Sequence, residues 1–215
     1  MMPAHFRNRT DAGRQLARRL EAYRGKDTVV YALPRGGVPV AAEVAEALEA
    51  PLDLVIPRKI GHPDSPEYAI AAVTETGDPV ENRPEVERVD SDWYDRAVAA
   101  ERREAKRRRQ TYGSGRPPID PAGRTAIIVD DGVATGLTMR AAIKAITARN
   151  PRQVVVATPV IPLDILDDIA VTVDDLVTVR EPEFFLGAIG AYYDDFRQTT
   201  DREVAERLDQ AARYR

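Results

Sequence analysis

The sequence predicts an α/β fold, a mainly parallel five-stranded sheet flanked by helices, within one chain of 215 residues. Short, β-branched, apolar runs recur at residues 28–33, 52–56, 125–129, 153–158 and 176–179, as expected of strands buried on both faces. Helical patterns alternate with them, the arrangement that builds a parallel sheet. At 43% hydrophobic residues, a chain of this length can bury one substantial core.

In order, residues 9–23 read as an amphipathic helix with Leu16 and Leu20 on one face, capped by Thr10 or Asp11 and ended by Gly25. The first strand, 28–33, breaks at residues 34–37, and an Ala-rich helix follows at 39–50. After the second strand, residues 58–84 hold four prolines around one apolar stretch, 68–73. This reads as a long loop carrying an antiparallel hairpin, and long loops in compact domains tend to be functional. A charged helix at 90–112 ends in the breaker run 113–118. The third strand leads through a Gly-containing loop to a helix at 138–149. The fourth strand leads to a short helix at 163–170, and the fifth to an aromatic tail and a last helix from Asp201.

Composition removes whole classes of chemistry. There is no cysteine, which excludes disulfides, thiolate metal sites and cysteine nucleophiles. Only His5 and His62 could offer imidazole, too few for a His-rich metal cage. A net charge of −4 gives no general affinity for nucleic acid. Residues 1–9 contain no apolar stretch resembling a signal peptide, and the run 154–163 is broken by Thr158, Pro159 and Pro162. The expectation is a cytoplasmic protein without membrane or nucleic-acid partners, working through carboxylates, hydroxyls, Arg, Lys and backbone amides.

In open parallel sheets, ligands bind in the loops beyond the carboxyl ends of the strands. The most informative such loop is Ile127-Ile128-Val129-Asp130-Asp131-Gly132-Val133-Ala134-Thr135-Gly136-Leu137-Thr138. Its second half can wrap a phosphate, with N–H groups at a helix start and two Thr hydroxyls as donors. Its first half presents two carboxylates, which repel phosphate and suit sugar hydroxyls or a metal-bound water. A sugar phosphate with a free diol fits both halves. Asp and Thr also make good helix caps, but a cap needs only one such residue.

This string resembles the phosphoribosyl pyrophosphate (PRPP) signature of the type I phosphoribosyltransferases, whose fold is Rossmann-like. The resemblance implies that Asp130 and Asp131 bind the ribose hydroxyls and, through them or water, a Mg²⁺ ion. It implies that Ala134, Thr135, Gly136, Leu137 and Thr138 cradle the 5-phosphate. PRPP synthases carry related motifs, but no ATP-binding partner sequence is present, and GxxxxGK[ST] and GxGxxG are absent. On this basis the chain is one phosphoribosyltransferase domain over 1–215. Its core is about 26–180, its insertion 58–118, and its small hood is built from about 1–10 and 181–200.

The other strand-end loops extend the resemblance. Arg35, Gly36 and Gly37 resemble the family's pyrophosphate loop, which often contains a non-proline cis peptide; a Gly-rich turn before a helix is the plainer reading. Arg58 and Lys59 resemble the start of the mobile catalytic loop of adenine and orotate phosphoribosyltransferases, with His62 near the place of a further Lys. Phe184 or Phe185 could stack on a nucleobase, or belong to an aromatic cluster covering the sheet end. Asp194 and Asp195 resemble a metal-associated acid of purine enzymes, at a spacing that departs by at least one residue. Where 6-oxopurine enzymes carry Asp, this chain has Ala134, as adenine enzymes do.

Residues 101–109 hold six basic side chains in nine. They are either an electrostatic patch, for PRPP or RNA, or a solvated helix face with pairs such as Glu104 with Arg108. The resemblance is strongest to small bacterial phosphoribosyltransferase-like proteins that share the strings LPRGG, RK and DDGVATG. It implies a homodimeric enzyme that uses Mg²⁺ and PRPP to modify a nitrogenous acceptor, nucleobases included but not a standard 6-oxopurine. A non-catalytic PRPP-binding regulator is the alternative, and an unrelated α/β protein the most distant one.

Overall fold

A computed structural model describes residues 5–113 and 117–214. Residues 1–4 of the expected hood and 114–116 of the expected breaker run lie outside the described residues.

The main sheet contains β1 (Thr28–Ala32), β2 (Leu52–Leu54), β6 (Thr125–Val129), β7 (Gln153–Val160) and β8 (Asp175–Arg180). Its order is β2-β1-β6-β7-β8, and every pairing is parallel. The three central strands are buried on both faces because successive residues point to opposite sides. Val30, Ala32, Ile127 and Val129 pack with α1 (Arg9–Arg19), α2 (Gly37–Leu48) and α7 (Asp201–Ala211). Val29, Tyr31, Ala126 and Ile128 pack with α5 (Leu137–Thr147) and α6 (Leu163–Ala170).

Residues 58–84 correct the expectation of a loop with one hairpin. They form an antiparallel sheet, β3 (Arg58–His62), β4 (Ser65–Val73) and β5 (Val80–Glu81), followed by α3 (Arg83–Val86). This sheet has its own small core, in which Ile60, Ile70, Ala71 and Val73 pack on Tyr94 and Val98 of α4 (Ser91–Gly113). Burial of Ile60 and of the consecutive β4 residues Ile70 to Val73 explains why the segment is ordered.

Helix starts shift as well. The cap of α1 is Asn8, whose side chain accepts from the Asp11 N–H at 2.9 Å, and neither Thr10 nor Asp11. Helix α2 starts at Gly37 and not Pro39, and α5 at Leu137 and not Thr138. Both helices therefore begin directly behind the strand-end loops of interest. The chain ends meet above them: the Phe6 N–H donates to the Tyr192 carbonyl at 2.9 Å and the Asp194 N–H to the Phe6 carbonyl at 2.8 Å. Phe6, Tyr192, Tyr193, Phe185, Ile189 and Phe196 form an aromatic cluster around this contact. Among the described residues, no helix is long and apolar enough to cross a membrane.

Candidate functional site

The apolar run of β6 delivers Asp130 and Asp131 to the carboxyl end of the sheet centre. The loop after β1 lies against them, since the Leu33 N–H donates to the Val129 carbonyl at 2.9 Å. A Cβ on Gly36 would collide with Asp131 Oδ2, and one on Gly37 would sit 2.8 Å from the Val129 carbonyl oxygen. Only glycine allows this approach. The Pro34–Arg35 peptide is cis, as the resemblance expects of this loop.

Residues 9, 189 and 193 close on Asp131 and the adjoining Gly132. Arg9 Nε donates to Asp131 Oδ2 at 2.6 Å, and the Tyr193 hydroxyl donates to the Asp131 carbonyl at 2.5 Å. The adjoining Gly132 lies so close to Ile189 that a Cβ would overlap its side chain. Burial raises the Asp130 carboxyl well above the usual carboxylate range, and the Asp131 charge beside it raises it further. Burial also raises Asp131, although the Arg9 guanidinium opposes the shift. A pair so tuned is a functional-site candidate on electrostatic grounds.

Beyond the pair, Gly136 adopts φ +77°, a left-handed turn that feeds α5. Ala134 and Thr135 are exposed, and Leu137 and Thr138 stand in the first helical turn. The first N–H groups of an α-helix lack intrahelical acceptors, so this turn can hold an anion.

The remaining expected residues separate into two groups. Gly36, Gly37, Asp130, Asp131 and the 134–138 turn are gathered at one sheet end. Arg35 instead reaches Asp201 of α7 at 3.2 Å, where the Tyr112 hydroxyl also donates. Arg58 pairs with Glu101 at 2.8 Å. Lys59 is exposed on β3. His62 Nδ1 accepts from the Asp64 N–H in the hairpin turn, a local role. Phe185 stacks on Tyr192 at 5.8 Å and belongs to the aromatic cluster, while Phe184 is 86% exposed. The acids of the basic helix are largely paired: Glu104 with Arg107 and Arg108, and Glu101 with Arg58. Arg9, Glu101 and Asp201 were not evident as site residues from sequence. Each acts through a partner dozens of residues away, and no local pattern marks such a pair.

No group of three or more His, Cys, Asp or Glu side chains that could hold a metal occurs among the described residues. Two adjacent carboxylates nevertheless fit Mg²⁺, which is commonly bound through one or two carboxylates together with substrate phosphates.

Comparison with known proteins bears on the family and the fold. The model of the phosphoribosyl transferase domain family matches residues 6–194. Relatives from two strains of Mycobacterium tuberculosis, each named "Putative phosphoribosyl transferase", are 44% identical over 210 residues, 97% of this chain and 47% of theirs. The chain thus spans about half the length of the curated relatives it matches. The crystal structure of a protein from Thermus thermophilus, TT1426, superposes with a TM-score of 0.81 at 39% identity, over 97% of this chain and 99% of that one.

Proposed function

The chain belongs to the phosphoribosyl transferase domain family, and on that premise we propose that it transfers the phosphoribosyl group of Mg²⁺-bound PRPP to a nitrogenous acceptor. The bond from C1 of the ribose to pyrophosphate breaks, and a bond from C1 to the acceptor nitrogen forms. Pyrophosphate leaves with the electron pair, and the proton displaced from the nitrogen passes to solvent. The observation that carries this reading is the direct packing of the acid pair on Gly36 and Gly37, next to the anion-holding turn at 134–138.

In this reading the N–H groups and hydroxyls of Ala134 to Thr138 hold the 5-phosphate. Asp130 and Asp131 accept from the ribose hydroxyls and favour the positive charge that develops at the ring. The backbone at Gly36 and Gly37 admits the pyrophosphate, and Arg35, Arg58 and Lys59 offset its charge. Mg²⁺, when bound, would supply further charge neutralisation at the diphosphate. Phe184, with its ring in solvent, is the better placed of the two phenylalanines to cover an acceptor base. Ala134 argues against the usual 6-oxopurine chemistry.

The test combines binding with turnover. Calorimetry should show ribose 5-phosphate and PRPP binding, each weakened by about 1.5–3 kcal/mol in Asp131→Asn, the range for hydrogen bonds to charged groups. Inorganic phosphate should bind the variant no worse. A panel of bases and amines with PRPP and Mg²⁺, assayed for pyrophosphate, then finds the acceptor. Wild-type PRPP affinity in the variant would reduce the acid pair to a cap and remove the reading's main support. Tight PRPP binding with no turnover on any acceptor would make the protein a regulator.

A further inference from the structure

Arg9 is fixed from several sides. Its Nε donates to Asp131 Oδ2 at 2.6 Å and its Nη1 to the Arg197 carbonyl at 2.7 Å. Its guanidinium lies 3.7 Å from the centre of the Phe196 ring, and its side chain is only 11% exposed. Phe196 in turn packs on Tyr193, whose hydroxyl donates to the Asp131 carbonyl. One arginine thus joins the start of the chain, the tail and the acid pair.

The contact also divides the carboxylate oxygens. Asp131 Oδ2 is enclosed by Arg9 and by Gly36, where any Cβ would overlap it. Asp130 Oδ1 accepts from the Asp131 N–H at 2.8 Å. The two carboxyl groups also share a side-chain hydrogen bond, and among the described residues only Arg9 donates to the pair from outside it. Two neighbouring carboxylates in a poorly solvated site repel each other strongly, and a cation in contact with one offsets that repulsion. A side chain that merely plugged an empty sugar site would be loosely held. Arg9 has a hydrogen bond and a ring stack on the tail besides its ion pair, so a ligand would not displace it cheaply.

We propose that Arg9 is a positioning residue for ribose recognition, holding Asp131 in the orientation that leaves its second oxygen, with Asp130, for the sugar hydroxyls. The same contact ties that orientation to the closure of residues 6–9 on 189–197. The inference rests on the PRPP reading, and deepens it by assigning a role to the N-terminal segment that no sequence motif marks.

The experiment measures ribose 5-phosphate and inorganic phosphate binding by calorimetry for wild type, Arg9→Gln, Arg9→Lys, Asp131→Asn and the Arg9→Gln/Asp131→Asn double variant. Arg9→Gln should weaken ribose 5-phosphate about tenfold or more and leave phosphate unchanged. Arg9→Lys should recover part of the loss. In the Asp131→Asn background, Arg9→Gln should cost little more, because both changes remove the same arrangement. If wild type binds ribose 5-phosphate and Arg9→Gln binds it equally well, the positioning role is overturned while the PRPP reading stands. Equal loss of phosphate and sugar phosphate, or additive losses in the double variant, would reduce Arg9 to a structural residue. Failure of the wild-type protein to bind ribose 5-phosphate would bring down the PRPP reading itself, and this inference with it.

Discussion

Arg58, the first residue of β3, donates from Nε to Glu101 of α4 at 2.8 Å, across 43 residues of sequence. The pair fastens the opening of the insertion to a 23-residue helix. A cation proposed to face pyrophosphate is therefore already half neutralised by a protein acid.

This pairing makes a prediction that runs against ordinary expectation for a lost ion pair. Glu101→Gln should tighten pyrophosphate binding by up to about fivefold, because a partly exposed pair is worth about 0.2–1 kcal/mol and its release frees the Arg58 charge. Calorimetry with pyrophosphate reads the change. Weaker binding would mean that Glu101 matters by holding β3 in place, and unchanged binding that Arg58 does not reach the diphosphate.

A buried pair secures the same helix to the main sheet. Asp53 on β2 is 4% exposed and accepts from Arg109 Nη2 at 2.8 Å and from the Ile119 N–H at 2.6 Å. Removing one partner strands a buried charge, so Asp53→Ala should destabilise the fold by about 3–5 kcal/mol. Adding Arg109→Leu should restore part of it. Urea midpoints for wild type and the single and double variants measure both effects. A double variant no more stable than Asp53→Ala would show that the carboxylate matters for the Ile119 N–H and not for the arginine.

Acid should act on α7 through Glu203. Its carboxyl is held down to about 2 by the Thr200 N–H and by Arg197, as part of a capping box. A depressed carboxylate stabilises the fold fully above its ordinary value of 4.5, and the contribution fades as the pH falls towards 2. Glu203→Ala should therefore lower Tm by a few degrees near neutrality, and the gap should close as melts are taken at progressively lower pH. A gap that stays constant down to the acid limit would place the effect in side-chain packing.

Much of the fold was legible because its signals are local. The central strands β1, β6 and β7 are short apolar runs buried on both faces, as strands of a parallel sheet are. The helix at Leu163–Ala170 agrees with its predicted bounds, since Pro162 precedes its first residue and apolar side chains recur at helical spacing. The 58–84 segment reads as mostly loop in sequence because its third strand has only two residues, Val80 and Glu81, too few to show a period. The cap of α1 falls on Asn8 because a helix start is decided by one side-chain hydrogen bond, and three neighbouring residues could have made it.

The candidate site divides along the same line. Asp130, Asp131 and the 134–138 turn lie within one stretch of chain, so their residue types and spacing alone pointed to a sugar-phosphate site. Tertiary structure decided which charges meet: Arg9 with Asp131 over 122 residues, Arg35 with Asp201 over 166, and Arg58 with Glu101. It also chose between two adjacent phenylalanines, stacking Phe185 on Tyr192 and leaving Phe184 in solvent. A strand or a helix-opening turn is built from neighbours in sequence, whose composition reveals it. An ion pair depends on where the backbone carries two distant side chains, and nothing in either one's own neighbourhood records the other.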